Sequence, residues 1–304
     1  MRPTLILSIL LLSPTPASAQ TLLRWKFTEG QTLKQSMETK TTTTATLGGQ
    51  ALKTMQTMVV DSLRTTKKVL PSGNAQIQQK SERVHARLDG PGGQVLEFDS
   101  REKKDLEGPF GEILNPVLGA LAQAEVPLEL TPQGKREKFE LPRGLLDALK
   151  SAPGDSRMSS FFSEESVRQM LDALPSFPDG PLALGTTWTE HVKLPMPFGT
   201  LHIDQTYRYE GKETKDGREL HKIGLKSGIS FQKKEGAPFE MKVKPNEATG
   251  VLYFDSEAGR FTSMSQTQNV TMEISAPGAP TVESHVETVI TYRLEEAKSE
   301  ETKK

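Results

Sequence analysis

Residues 182–227 read LALGTTWTEHVKLPMPFGTLHIDQTYRYEGKETKDGRELHKIGLKS, and the alternation within this stretch decides the fold class. Leu201, Ile203, Tyr207 and Tyr209 alternate with His202, Asp204, Thr206 and Arg208. That is the period-two pattern of a strand with one apolar and one wet face. The turn Lys215-Asp216-Gly217-Arg218 follows, in which Asp-Gly supplies the positive-φ positions of a tight hairpin. The chain then returns through Leu220 to Leu225, so a long antiparallel hairpin is expected here.

The same signature recurs on both sides. Upstream, Leu23, Trp25 and Phe27 share one face of an expected first strand over residues 20–27. The Thr-rich run of residues 34–46 reads as a second strand, because β-branched residues favour the pleated state over helix; a low-complexity linker is the competing reading. Residues 52–70 and 75–88 flank the turn Pro71-Ser72-Gly73-Asn74, and residues 94–99 follow the corner Gly90-Pro91-Gly92-Gly93. Residues 126–131 and 135–141 flank Pro132-Gln133-Gly134. Downstream, strands are expected around Phe239, Met241 and Val243, over 251–254, 260–268 and 270–274, and over 282–294.

Between the β-rich portions the period lengthens. Asn115-Pro116 has the form of a helix start, with Asn as cap and Pro at the first helical position, followed by Val117, Leu118 and Leu121. Pro142 opens a second short helix carrying Leu145, Leu146 and Leu149. A third is expected from Ser163 to Leu174: Phe162 staples onto Val167, Glu164 and Glu165 suit the first turn, and Val167, Met170, Leu171 and Leu174 form one stripe.

Residues 1–19, MRPTLILSILLLSPTPASA, combine one Arg, a short apolar run and an A-x-A site, which is the pattern of a secretory signal peptide cleaved near Ala19. The apolar run falls well short of the ~20 residues that span a bilayer, and no later segment approaches that length, so no membrane span is expected. The chain is read as residues 1–19 signal peptide, 20–141 an N-terminal β-rich portion with an inserted short helix, 142–181 a helical connector, 182–296 a C-terminal β-rich portion and 297–304 a charged tail. Export to the periplasm or the cell exterior follows from the leader. Cys is absent, so disulfides, thiol catalysis and thiolate metal sites are excluded together. A formal net charge of −1 gives no field for nucleic acid.

The two β-rich portions show a rough correspondence. The Pro71–Asn74 hairpin matches that at Asp216-Gly217, and the turn at Pro132-Gln133-Gly134 matches that at Ser256–Gly259, which points to an internal duplication. The exported leader, the Thr-rich early strand, LTPQG at 130–134, FPDGPLALGTTW at 177–188 and YEGKETKDGRELHKI from 209 together resemble a functionally uncharacterised family, a domain of unknown function, of exported β-rich bacterial proteins. The resemblance implies export and a β-rich fold, and carries no site residues.

Chemistry-bearing motifs are sparse. His85, His191, His202, His221 and His285 show no metal-ligand spacing, and His85, His202 and His285 fall on wet strand faces. There is no G-x-S-x-G or S-x-x-K signature. The Gly90–Gly93 cluster lacks the Lys and Ser/Thr of a phosphate loop. Lys67-Lys68, Lys103-Lys104 and Lys233-Lys234 read as hairpin tips, and Asn269-Val270-Thr271 is a glycosylation pattern within a strand. No catalytic, cofactor-binding or metal-ligating residue is assigned.

The fold expected is α+β, with long twisted antiparallel sheet, an open or half barrel from two similar β portions, and two or three short helices between them; a two-domain β-sandwich is the alternative. Two functions fit. One is a binding or carrier module for an apolar or amphiphilic, lipid-like ligand. The other is a structural or interaction partner of an envelope protein, and a hydrolase comes third.

Overall fold

The computed structural model describes residues 20–47, 49–151, 174–196, 199–237 and 239–297. The N-terminal portion holds β1 (Thr32–Leu47), β2 (Gln50–Val69), β3 (Ala75–Asp89), β4 (Val95–Asp99), α1 (Gly108–Ala122), β5 (Glu125–Leu130), β6 (Arg136–Phe139) and α2 (Arg143–Ser151). The C-terminal portion holds β7 (Thr187–Met196), β8 (Gly199–Lys215), β9 (Arg218–Lys233), β10 (Glu240–Val243), β11 (Glu247–Asp255), β12 (Arg260–Ser275) and β13 (Val282–Glu296). All thirteen strands join one antiparallel sheet, whose path is β6-β5-β3-β2-β1-β13-β12-β11-β9-β8-β7. It is open, with β6 and β7 at its edges.

Hairpin chemistry accounts for most of the path. Asp216 (φ 51°) and Gly217 (φ 75°) both take positive φ between β8 and β9, the conformation that lets a two-residue turn match strand twist. Local turns do not supply the central pairing. β1 lies against β13, from Leu33↔Glu296 to Thr46↔Glu283, and the hydroxyls of Thr41 and Thr288, 247 residues apart, meet at 3.3 Å. That pairing makes one sheet of both β-rich portions. In each portion the strand numbers descend along the path in the same direction, and each has a short strand, β4 or β10, beside it. A duplication requires such an order, and a meander of neighbouring hairpins produces it too.

Several expectations need correction. Residues 20–27 are extended but form no ladder, because their backbone groups go to separate partners. Thr21 bridges Leu182, Trp25 N–H donates to Pro132 O (2.7 Å), and Lys26 N–H donates to Gly259 O (2.9 Å). The first helix begins at Gly108, seven residues before the expected cap, with Pro109 in its first turn and Pro116 in its interior. Asn115 caps no helix. Its carboxamide accepts from Leu106 N–H (2.9 Å) and donates to Leu106 O (3.0 Å), so it ties the approach segment to the helix side. Residues 260–274 are one strand, not two, with Asn269 paired to Glu287 inside it. The helix expected from Ser163 lies outside the described residues up to position 173, while Leu174 is half-buried against the main core.

The core follows from one face of the sheet. Tyr207, Tyr209, Ile223, Leu225, Leu252, Phe254, Phe261, Met264, Tyr292 and Leu294 are buried there. Two extended segments cover them: 20–27 with Leu23 and Trp25, and 174–182 with Phe177 and Leu182. Phe177 stacks on Phe261 (5.3 Å) and meets Phe254 edge-on (4.9 Å), and each such pair adds about 1 kcal/mol beyond its area. Gly259 explains the close fit of the first segment: at φ 63° a side chain there would overlap the Lys26 backbone. α1 and α2 cover the same face of the N-terminal portion in two smaller clusters, around Leu128 and Leu145, and around Val84 and Phe98.

Candidate binding face

Register fixes what shares a face, since directly opposed residues point the same way. From the core outward along β8, the inner face carries Tyr209, Tyr207, Gln205, Ile203 and Leu201. The Gln205 row crosses the sheet: Glu190, Gln205, Ser227, Ala248, Gln268, Thr288, Thr41, Gln56 and Leu88 are successive partners from β7 to β3. It is a largely polar belt, with Gln266 and Thr39 one row nearer the core and Thr43, Thr54 and Ser284 farther out on the same face.

Beyond the belt the face turns apolar again. Val192, Ile203 and Ile229 form one row, and Leu194, Leu201 and Phe231 the next. Farther along the same inner face, on β10, β12 and β13, Met241 opposes Ile274, Val243 opposes Met272, and Val286 opposes Val270. Val270 is buried and the rest are half-buried, and none belongs to the three core clusters. Gly199 lets the Phe231 ring lie against the strand, since a Cβ there would overlap that ring.

The belt is unevenly satisfied. Gln266, one row nearer the core, donates to Ser227 Oγ (3.4 Å). Glu190 accepts from Ser176 N–H (2.8 Å) and Oγ–H (2.6 Å). Gln268 Nε2 and the indole Nε1 of Trp188 are buried with no hydrogen-bond partner among the described residues. A buried donor without a partner costs ~1–3 kcal/mol.

The opposite face is rich in charged pairs, with Val59, Val251, Tyr253 and Val289 set among them. Arg83 grips Asp99 with Nε 3.2 Å from both oxygens, Ser36 donates to Asp61 (2.7 Å), and Glu97 joins His85 (3.0 Å) and Lys104 (2.6 Å). Those two partners hold the Glu97 carboxyl at about 2. His191 pairs with Asp204 (2.6 Å), and His202 with Gln232 (3.2 Å), on the same side. His85, expected at the surface, is half-buried there. Lys67, Lys68, Lys103, Lys233 and Lys234 are exposed, and Lys104 pairs with Glu97. No group of three or more metal-ligating residues occurs among the described residues.

His221 is named in the sequence reading but placed on neither strand face. It is buried, with Nδ1 2.8 Å from Tyr209 Oη and Nε2 3.0 Å from Ser256 Oγ, and burial lowers its pKa. A Ser-His contact invites a hydrolase reading. Here the second ring nitrogen meets a phenol, not the carboxylate of a triad, and Asp255 caps its own turn by accepting from Glu257 and Ala258 N–H. The constellation ties β8 and β9 to the β11–β12 turn. Its only sequence signal is that Leu220 and His221 precede the inward-facing Ile223 and Leu225, with a bulge at Tyr209/Gly211 shifting the phase opposite them.

Two small clefts lie on the surface of the described residues. One of about 280 Å³ is lined by Ile77, Pro127, Leu128, Glu129, Lys138 and Phe139, and one of about 230 Å³ by Arg218, Arg260, Thr262 and Leu294. No helix among the described residues is long and apolar enough to cross a membrane.

No family model matches the chain, and no curated protein matches it. Among solved structures, one described as lipid-protein interactions in lipovitellin is 11% identical, with a TM-score of 0.47, covering 90% of this chain and 26% of that one. This chain therefore spans about a quarter of the lipovitellin chain. The COG4313 outer membrane channel from Pseudomonas putida F1 is 8% identical, with a TM-score of 0.23, covering 93% of this chain and 100% of that one. A DUF1329 family protein from Desulfovibrio piger ATCC 29098 is 10% identical, with a TM-score of 0.17, covering 87% and 86%. At these scores none of the three assigns a family or a function to this chain.

Proposed function

We propose that the chain is an exported binding or carrier module for an apolar or amphiphilic ligand, working after removal of residues 1–19. The observation that supports this is the inner face itself: beyond the polar belt, rows of Val, Ile, Leu, Met and Phe continue where the packed core has ended. A contiguous apolar surface outside a core marks a place where something apolar binds. The envelope-protein reading has less support, because β7, at one end of the sheet's path, carries Lys193 and Pro195, residues that discourage strand addition.

The mature chain, titrated with the neutral apolar probe N-phenyl-1-naphthylamine, is expected to enhance its fluorescence with micromolar affinity. Phe231→Asp and Ile203→Asp should each weaken that binding at least tenfold while circular dichroism stays unchanged. A wild-type protein that binds no such probe, and that shows no retained lipid by native mass spectrometry, would overturn the reading.

A further inference from the structure

We propose that the belt selects an uncharged acyl ester, of the monoacylglycerol class, over free fatty acids and anionic phospholipids; this rests on the carrier reading above. The apolar rows would take the chain and the belt the head. Gln205, Gln268, Thr288, Thr41 and Gln56 carry no charge and share one row. Gln205 Oε1 already accepts from Tyr207 Oη–H (3.0 Å) and the Thr41 and Thr288 hydroxyls meet each other, so the row's hydrogen bonds to a ligand come from the Gln205 amide nitrogen, Gln268 and Gln56. Charge on the belt and the described rows beyond it is confined to Glu190, already engaged by Ser176, and Lys233, exposed at the rim. An anionic head placed at the belt would meet no counter-charge and would be repelled by Glu190. Desolvating an unpaired carboxylate or phosphate costs far more than desolvating an ester. Of the five buried side-chain polar atoms without a partner among the described residues, Gln268 Nε2 and Trp188 Nε1 lie on the belt and on the row beside it, while Trp25 Nε1, Ser62 Oγ and Tyr292 Oη lie elsewhere. Such donors call for acceptors, and ester carbonyl and hydroxyl oxygens supply them at no charge cost.

The test is competition against the bound naphthylamine probe at pH 8, with 1-oleoylglycerol, oleate and oleoyl lysophosphatidylglycerol, all below their micellar concentrations. The expected result is displacement by 1-oleoylglycerol at a concentration at least tenfold below that needed for either anion. Gln268→Leu, close in volume, should shrink that preference several-fold with the circular dichroism unchanged. Anions competing as well as the ester would overturn this selectivity and leave the carrier reading intact. An unaltered preference in Gln268→Leu would overturn the role of the belt. Failure of the probe to bind, together with no retained lipid in native mass spectrometry, would overturn both.

Discussion

The inner face holds two regions built from the same strands with the same alternation, and among the described residues they differ in what lies over them. On β8 the pair Tyr207 and Tyr209 is buried under Phe177, Leu182 and Leu23, while Ile203 and Leu201, two and three pleats farther out, are half-buried and join no core cluster. Period-two patterning decides which side of a sheet a residue faces. Whether that side becomes core depends on a second layer. Here the second layer at the core end is two extended segments, each held by a few backbone hydrogen bonds to turns, and the polar belt marks the row at which the main core cluster gives way.

The comparison breaks most readily at Phe254, which is fully buried between Trp25, Phe177 and Phe261. Phe254→Ala is expected to cost about 3–5 kcal/mol in chemical denaturation, whereas Phe231→Ala, on the outer rows, should cost about 1 kcal/mol because its side chain is already partly wet. Equal losses at the two sites would mean that both regions are core. Gly259→Ala attacks the covering layer instead. A Cβ at positive φ pressed into Lys26 should cost about 2–3 kcal/mol and raise amide exchange at Trp25 and Lys26. Unchanged exchange there would show that the segment is not held by this turn.

Acid should distinguish the buried end from the polar face. The folded state holds His221 neutral, with its pKa depressed by burial. The unfolded chain takes up the proton first, near pH 6.5, so stability is full above that pH and falls as pH drops beneath it. His221→Gln should flatten that decline. The Glu97 carboxylate, held at about 2 by Lys104 and His85, contributes at a lower window: its share is present above the unfolded value of about 4.3 and is lost as pH falls from there toward 2. The smallest effect expected is from Glu97→Gln, because its partner Lys104 is half in solvent. A midpoint for acid unfolding that moves with Glu97 and not with His221 would reverse the ranking.

Much of the sheet was legible from local chemistry. The Asp216-Gly217 turn, the Thr-rich β1 and the alternation along β8 each specify their strand without reference to anything distant. Residues 20–27 misled because apolar alternation at Leu23, Trp25 and Phe27 is the same for a strand and for a covering segment whose backbone pairs with turns. Asn115-Pro116 misled because a cap-and-proline pair also fits a helix interior when the Asn side chain has a nearby backbone to satisfy. The belt was invisible for another reason. Gln205, Gln268, Thr288, Thr41 and Gln56 are scattered over four-fifths of the chain, and nothing in any one segment marks them as neighbours.

Residue order alone determined the strands, the turns and which side chains share a face, since these depend on contacts within a hairpin and on a period of two. The β1–β13 pairing, the covering of one end of the inner face and the row that crosses it were decided by tertiary structure. They join residues hundreds of positions apart, whose encounter depends on the loop closure and burial of the whole sheet.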